Sequence, residues 1–80
     1  MENLARDKIP AGKVQVRKLD PKLGDLIELL DTDKVLVTIQ EYEIIIDEDT
    51  QKMIPKDELQ AKLDKGETKR IRTVPAVTGG

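Results

Sequence analysis

Between residues 13 and 19, Val14 and Val16 alternate with Lys13, Gln15 and Arg17. A period of two sends successive side chains to opposite faces, so a strand with one wet face is predicted here. The rhythm then changes. Leu23, Leu26, Ile27 and Leu30 recur at i, i+3, i+4 and i+7, behind Asp20 in an N-cap position and Pro21 in the first helical position. That spacing predicts an amphipathic helix. Gly24 inside it costs about 1 kcal/mol relative to Ala, so such a helix draws its stability from packing its Leu/Ile stripe on a sheet. Asp31-Thr32-Asp33 is expected to end it.

Val35, Val37 and Ile39 alternate again, while Tyr42, Ile44 and Ile46 keep step two in the opposite register. A strand, a tight turn or bulge between Gln40 and Glu43, and a second short strand are therefore expected. Asp47-Glu48-Asp49-Thr50 reads as a polar turn. Pro55-Lys56-Asp57-Glu58 then opens a short helix with acids in its first turn and Leu59 and Leu63 stacked on one face. Asp64-Lys65-Gly66 stops it, and residues 68–74 return as a strand through Ile71 and Val74. The expected class is α+β, a small mixed sheet packed on one main helix, with a short second helix.

Eighty residues make one small domain, and a chain of this size leaves about 40% of its unfolded-state surface exposed after folding, which excludes a large substrate cavity. Phe and Trp are absent and Tyr42 is the only aromatic residue, so the core must be aliphatic and thin. With no Cys and no His, the chain carries no disulfide, no zinc site of the usual kind, no thiol nucleophile and no histidine base. A formal charge of -2 with a single aromatic side chain argues against nucleic acid as a partner. No wholly apolar run exceeds the three residues of Ile44-Ile45-Ile46, too short for a signal peptide or a membrane span, and a cytoplasmic chain without membrane contact is expected.

Several constellations invite chemistry and resolve to plainer readings. Asp47, Asp49, Gln51 and Glu58 fall at positions one, three, five and twelve of a calcium-loop template, but Lys52 occupies the sixth position, where Gly is required, and Pro55 interrupts the loop. A solvated acidic turn is the better reading, and no metal is expected. Paired carboxylates for glycoside hydrolysis lack a cleft in which burial separates their pKa values. Lys69, Arg70 and Arg72 fit the wet face of the last strand. The Leu23, Leu26, Ile27, Leu30 stripe is assigned to the core, and an apolar docking patch on the open sheet face is sought among Val14, Val16, Ile71 and Val37.

Gly79 and Gly80 bear no side chains and suit a channel too narrow for a Cβ, while Pro75 biases Val74 toward extended geometry. Together with Pro55-Lys56-Asp57-Glu58-Leu59 and Leu63-Asp64-Lys65-Gly66-Glu67, the run Ile71-Arg72-Thr73-Val74-Pro75-Ala76-Val77-Thr78-Gly79-Gly80 resembles the closing third of the ubiquitin-like β-grasp sulfur carriers and modifiers. These include the molybdopterin synthase small subunit and the thiamine-biosynthesis sulfur carrier. The ending Val74 to Gly80 is especially similar to the first of these. Family members usually open with a two-stranded hairpin, whereas residues 2–9 form a poor strand.

The resemblance implies a β-grasp domain over residues 1–74, with 1–12 a poorly defined first strand or arm, and an extended flexible tail over 75–80. It implies a carrier that is not itself an enzyme. A ubiquitin-activating-type adenylyltransferase would use ATP to convert the Gly80 carboxylate into an acyl-adenylate, and sulfur would displace AMP. The thiocarboxylate would then serve molybdopterin or thiamine biosynthesis or tRNA thiolation, or the activated acyl group would be captured by a lysine amine. Gly79 and Gly80 would be the reactive terminus, and Val74, Pro75, Ala76, Val77 and Thr78, with Ile71 and Arg72, the partner-binding grip. No cofactor would be held stably, and the chain would act as a monomer or beside a sulfur-accepting synthase subunit. Tyr42-Glu43-Ile44-Ile45-Ile46, Glu58-Leu59 and Ile71-Arg72-Thr73-Val74-Pro75 are also similar to the β-grasp region of phage tail-assembly proteins, which would make the chain a structural assembly factor. A third expectation is an adaptor that binds partners non-covalently through a sheet edge.

Overall fold

The computed structural model describes residues 4–20, 22, 24–39 and 43–75. Strands β1 (Lys13–Asp20) and β2 (Gly24–Asp31) form an antiparallel hairpin, paired without a break from Lys13↔Asp31 to Asp20↔Gly24. A 3-10 turn over Thr32–Lys34 runs into the short helix α1 (Val35–Thr38). Strands β3 (Glu43–Asp47) and β4 (Lys52–Met53) make a second antiparallel pair, followed by helix α2 (Lys56–Asp64) and strand β5 (Arg70–Pro75). The sheet order is β2-β1-β5-β3-β4, with β5 parallel to β1 and antiparallel to β3. The protein is a small α+β domain with a mixed five-stranded sheet and, among the described residues, two α-helices.

The expected strands at residues 13–19 and 68–74 and the helix after Pro55 are present. Two expected elements are exchanged in type. Residues 24–31 are a strand, not the main helix, because their apolar side chains serve both faces of an edge strand: Leu26 and Leu30 on the helix side, Ile27 and Leu29 on the other. Gly24 is no helix interior. It starts β2 at φ +81°, a conformation that suits Gly, where a hairpin turns back. Conversely, residues 35–38 are helical. Val35 and Ile39 are buried one turn apart, while Val37 between them is 84% exposed. The helical cover comes mainly from α2, the element expected to be minor. Pro21, Leu23, Tyr42 and the expected turn between Gln40 and Glu43 fall partly or wholly outside the described residues.

The core lies between one sheet face and the helices. It joins Val14 and Val16 of β1, Ile71 of β5 and Ile45 of β3 to Val35, Ile39, Ile54, Leu59 and Leu63, with Leu30 and Leu36 packed against it. Burying each such side chain contributes roughly 1.5–3 kcal/mol. Three apolar residues expected as a docking patch, Val14, Val16 and Ile71, are therefore core, and Val37 stands alone on α1. Residues 4–12 form no strand. A 3-10 turn at Arg6–Lys8 carries an arm along the lower end of the sheet, where the Leu4 amide donates to Gln15 Oε1 at 2.6 Å. The Arg6 guanidinium donates to Asp49 and to the Gly66 and Glu67 carbonyls at 3.0–3.2 Å.

Candidate functional site

Alternation along the paired strands sorts every second side chain onto the sheet face away from the core. One row across four strands reads Ile27, Arg17, Arg72, Ile46. The next holds Leu29, Gln15 and Arg70, and above them Val74 faces Ile44. The outer face is thus a band of cations flanked by half-buried aliphatic side chains, Ile27 and Leu29 on one side and Ile44, Ile46 and Val74 on the other. The arm occupies the Gln15 end. The end where β5 leaves the sheet carries a shallow cleft of about 160 Å³ lined by Arg17, Asp25, Arg72 and Val74.

The three arginines are not equivalent. Arg17 lies 3.4 Å from Glu48 and 3.7 Å from Asp25, and Arg70 donates to Asp49 at 3.2 Å. Among the described residues Arg72 has no ion-pair partner, and its Nε is buried without a hydrogen bond. A guanidinium held against aliphatic neighbours is a ready donor for a carboxylate brought by another molecule.

Of the residues expected to act, Arg72 and Val74 lie on this outer face, and Pro75 is exposed at the strand end. Ile71 is wholly buried. In register it sits between Val16 and Asp47, so it anchors β5 from inside. Ala76, Val77, Thr78, Gly79 and Gly80 lie outside the described residues. Arg17, Ile27, Ile44 and Ile46 join the face although sequence assigned them no binding role, and Ile27, expected in the core stripe, lies on the outer side instead. Their signal was the pairing register, which fixes which residues share a row and which no single strand contains.

The acidic turn after β3 is structural. Asp47 is buried, and its Oδ1 accepts the amides of Asp49 at 2.8 Å and Thr50 at 3.3 Å, while Oδ2 accepts the Thr68 hydroxyl at 3.3 Å. Its lone pairs are directed at the turn. Among the described residues no group of three or more Asp or Glu is arranged to hold a metal ion, and no helix is long and apolar enough to cross a membrane. No protein-family model, curated protein or solved structure matches this chain.

Proposed function

We propose that the chain is a ubiquitin-like β-grasp carrier, its Gly80 carboxylate activated by a ubiquitin-activating-type adenylyltransferase and passed on as a thiocarboxylate or to a lysine amine. The observation that carries this reading is the placement of β5. The last strand is held at the sheet centre between β1 and β3 and reaches an exposed Pro75 immediately before Ala76-Val77-Thr78-Gly79-Gly80. A reactive terminus benefits from such a root, because each residue the partner need not order lowers the entropic cost of docking. The hairpin β1–β2 is compatible with the two-stranded opening of that family, and the mixed five-stranded sheet accommodates a β-grasp assignment. Arg72, which has no ion-pair partner among the described residues, and Val74 offer an activating enzyme a charge and an apolar contact.

The chemistry belongs to the partners. A Gly80 carboxylate oxygen attacks the α-phosphate of ATP and pyrophosphate leaves; a persulfide sulfur then attacks the acyl carbon and AMP leaves, and a second thiol of the partner cleaves the resulting acyl disulfide, freeing the Gly80 thiocarboxylate and leaving a disulfide on the donor side. Nothing in this scheme needs a Cys or His from the carrier. The test incubates the 80-residue chain with ATP, a persulfide donor, a thiol reductant and the adenylyltransferase, and follows its intact mass. Exchange of one terminal oxygen for sulfur is expected with the complete tail and none after removal of Gly80. Modification that persists in the shortened chain, or an intact chain that never forms the adenylate, overturns the reading.

A further inference from the structure

Strand β2 stands at the edge of the sheet and pairs on one side only. Which of its backbone groups face outward follows from one hydrogen bond. Thr32 N–H donates to Gly12 C=O at 3.1 Å, and in an antiparallel ladder such bonds join residues directly opposed, at every second pair. Leu30, Glu28 and Leu26 therefore bond to β1. Asp25, Ile27, Leu29 and Asp31 turn their N–H and C=O groups away from the sheet. The register with β1 runs without a bulge over all eight pairs, and β2 contains no Pro or Lys, two of the devices that blunt an exposed edge.

What the edge does carry is negative charge at a fixed interval. Asp25, Glu28 and Asp31 are spaced by three with apolar pairs between them, and β2 has no cation. Asp31 is held by Lys13 and Asp25 lies 3.7 Å from Arg17, whereas Glu28 has no partner among the described residues. Because strand side chains alternate, Asp25 and Asp31 lie on the outer face and Glu28 on the helix face. In the antiparallel self-pairing that engages all four outward residues, Glu28 meets Glu28 and Asp25 meets Asp31, so that register repels a second copy. A strand with a base at every third position and apolar residues between meets each acid with a cation on either face.

We propose that the β2 edge is a docking site for an extended basic segment of a partner protein, added as a sixth strand opposite Asp25 to Asp31. Affinity comes from the outward backbone groups and selectivity from the three acids. This site is separate from the tail and operates whether or not Gly80 is activated.

The probe is a capped heptapeptide with lysine at its first, fourth and seventh positions and valine or threonine between, titrated into the ¹⁵N-labelled chain. Hydrogen exchange should slow at the amides of Asp25, Ile27, Leu29 and Asp31, with the intervening amides unchanged. A peptide with glutamate in place of lysine should bind at least roughly tenfold more weakly, since each like-charge pair replaces an attractive one. Ile27→Pro removes an amide that makes no bond to β1, and Pro is tolerated at such an outward edge position. It should weaken the lysine peptide by roughly tenfold or more while the fold stays intact by circular dichroism; Glu28→Gln gives a second, milder variant that leaves the backbone untouched and should weaken it about fivefold. Equal binding of the two peptides, protection without the every-second-residue pattern, or protection that grows with protein concentration in the absence of peptide would each overturn the proposal, the last by showing that a second copy takes the edge.

Discussion

Replacing Asp47 by Ala tests whether a buried carboxylate organises the lower end of the sheet. It is 6% exposed and takes three donors: the Asp49 amide at 2.8 Å, the Thr50 amide at 3.3 Å and the hydroxyl of Thr68, itself 2% exposed. Hydrogen bonds to an ionised acceptor contribute about 1.5–3 kcal/mol each when short, and the two long ones here contribute less. Truncation also strands a buried hydroxyl. The expected loss is about 2–4 kcal/mol, a large fraction of the roughly 4–12 kcal/mol available to a domain of this size. At a urea slope near 1 kcal/mol per M for so small a protein, the unfolding midpoint should fall by about 2–4 M. The turn also positions Asp49, which receives both Arg6 and Arg70, so amide exchange should quicken in the arm as well. A double-mutant cycle with Thr68→Val isolates the side-chain pair and should return a coupling of about 0.5–1.5 kcal/mol. A loss below about 0.5 kcal/mol for Asp47→Ala, or strictly additive single variants, would refute the assignment of Asp47 as the anchor of this turn.

Leu59 is fully buried where α2 meets the sheet, and Leu59→Ala should cost about 2–5 kcal/mol in denaturant unfolding; a cost below about 1 kcal/mol would mean that α2 does not close the core. The Lys13 ammonium, hydrogen-bonded to Asp31, holds its carboxyl below the ordinary value, with Lys34 adding a smaller pull. A depressed folded-state pKa contributes stability above the unfolded carboxyl value, near pH 4, and that contribution is lost as pH falls through the folded value. Lys13→Met should therefore raise the Asp31 titration midpoint, read from its carboxyl ¹³C shift, and flatten the acid limb of the stability curve. An unchanged midpoint would contradict the pairing.

Much of the fold was readable because its strands and second helix obey one period each. Val14 and Val16 could only be a strand beside charged neighbours, and Leu59 and Leu63 behind Pro55 could only be a helix. The two exchanged elements share a different property: their apolar residues satisfy both periods. Leu26, Ile27 and Leu30 match a helical stripe, yet with Leu29 they also supply two apolar faces to a strand. Val35 and Ile39 are four apart, a multiple of two and close to one helical turn, and only the fate of Val37 distinguishes the alternatives. That fate depends on what lies above the sheet, which no local pattern encodes. Arg72 was singled out from its place before the tail, but its lack of an ion-pair partner among the described residues emerges only when Arg17 and Arg70 claim Asp25 of β2 and Glu48 and Asp49 of the turn after β3.

The central position of β5 also governs how the chain acquires its shape. Before residues 70–75 arrive, β1–β2 and β3–β4 are two hairpins with nothing to join them, and neither buries enough apolar surface to stand alone. The parallel β1–β5 contact closes a loop of more than 50 residues, as from Gln15 to Arg70, so assembly waits on the slowest and most distant encounter. On a ribosome, whose exit tunnel conceals the most recently made residues, cooperative folding is therefore expected only after residues 70–75 have cleared the tunnel.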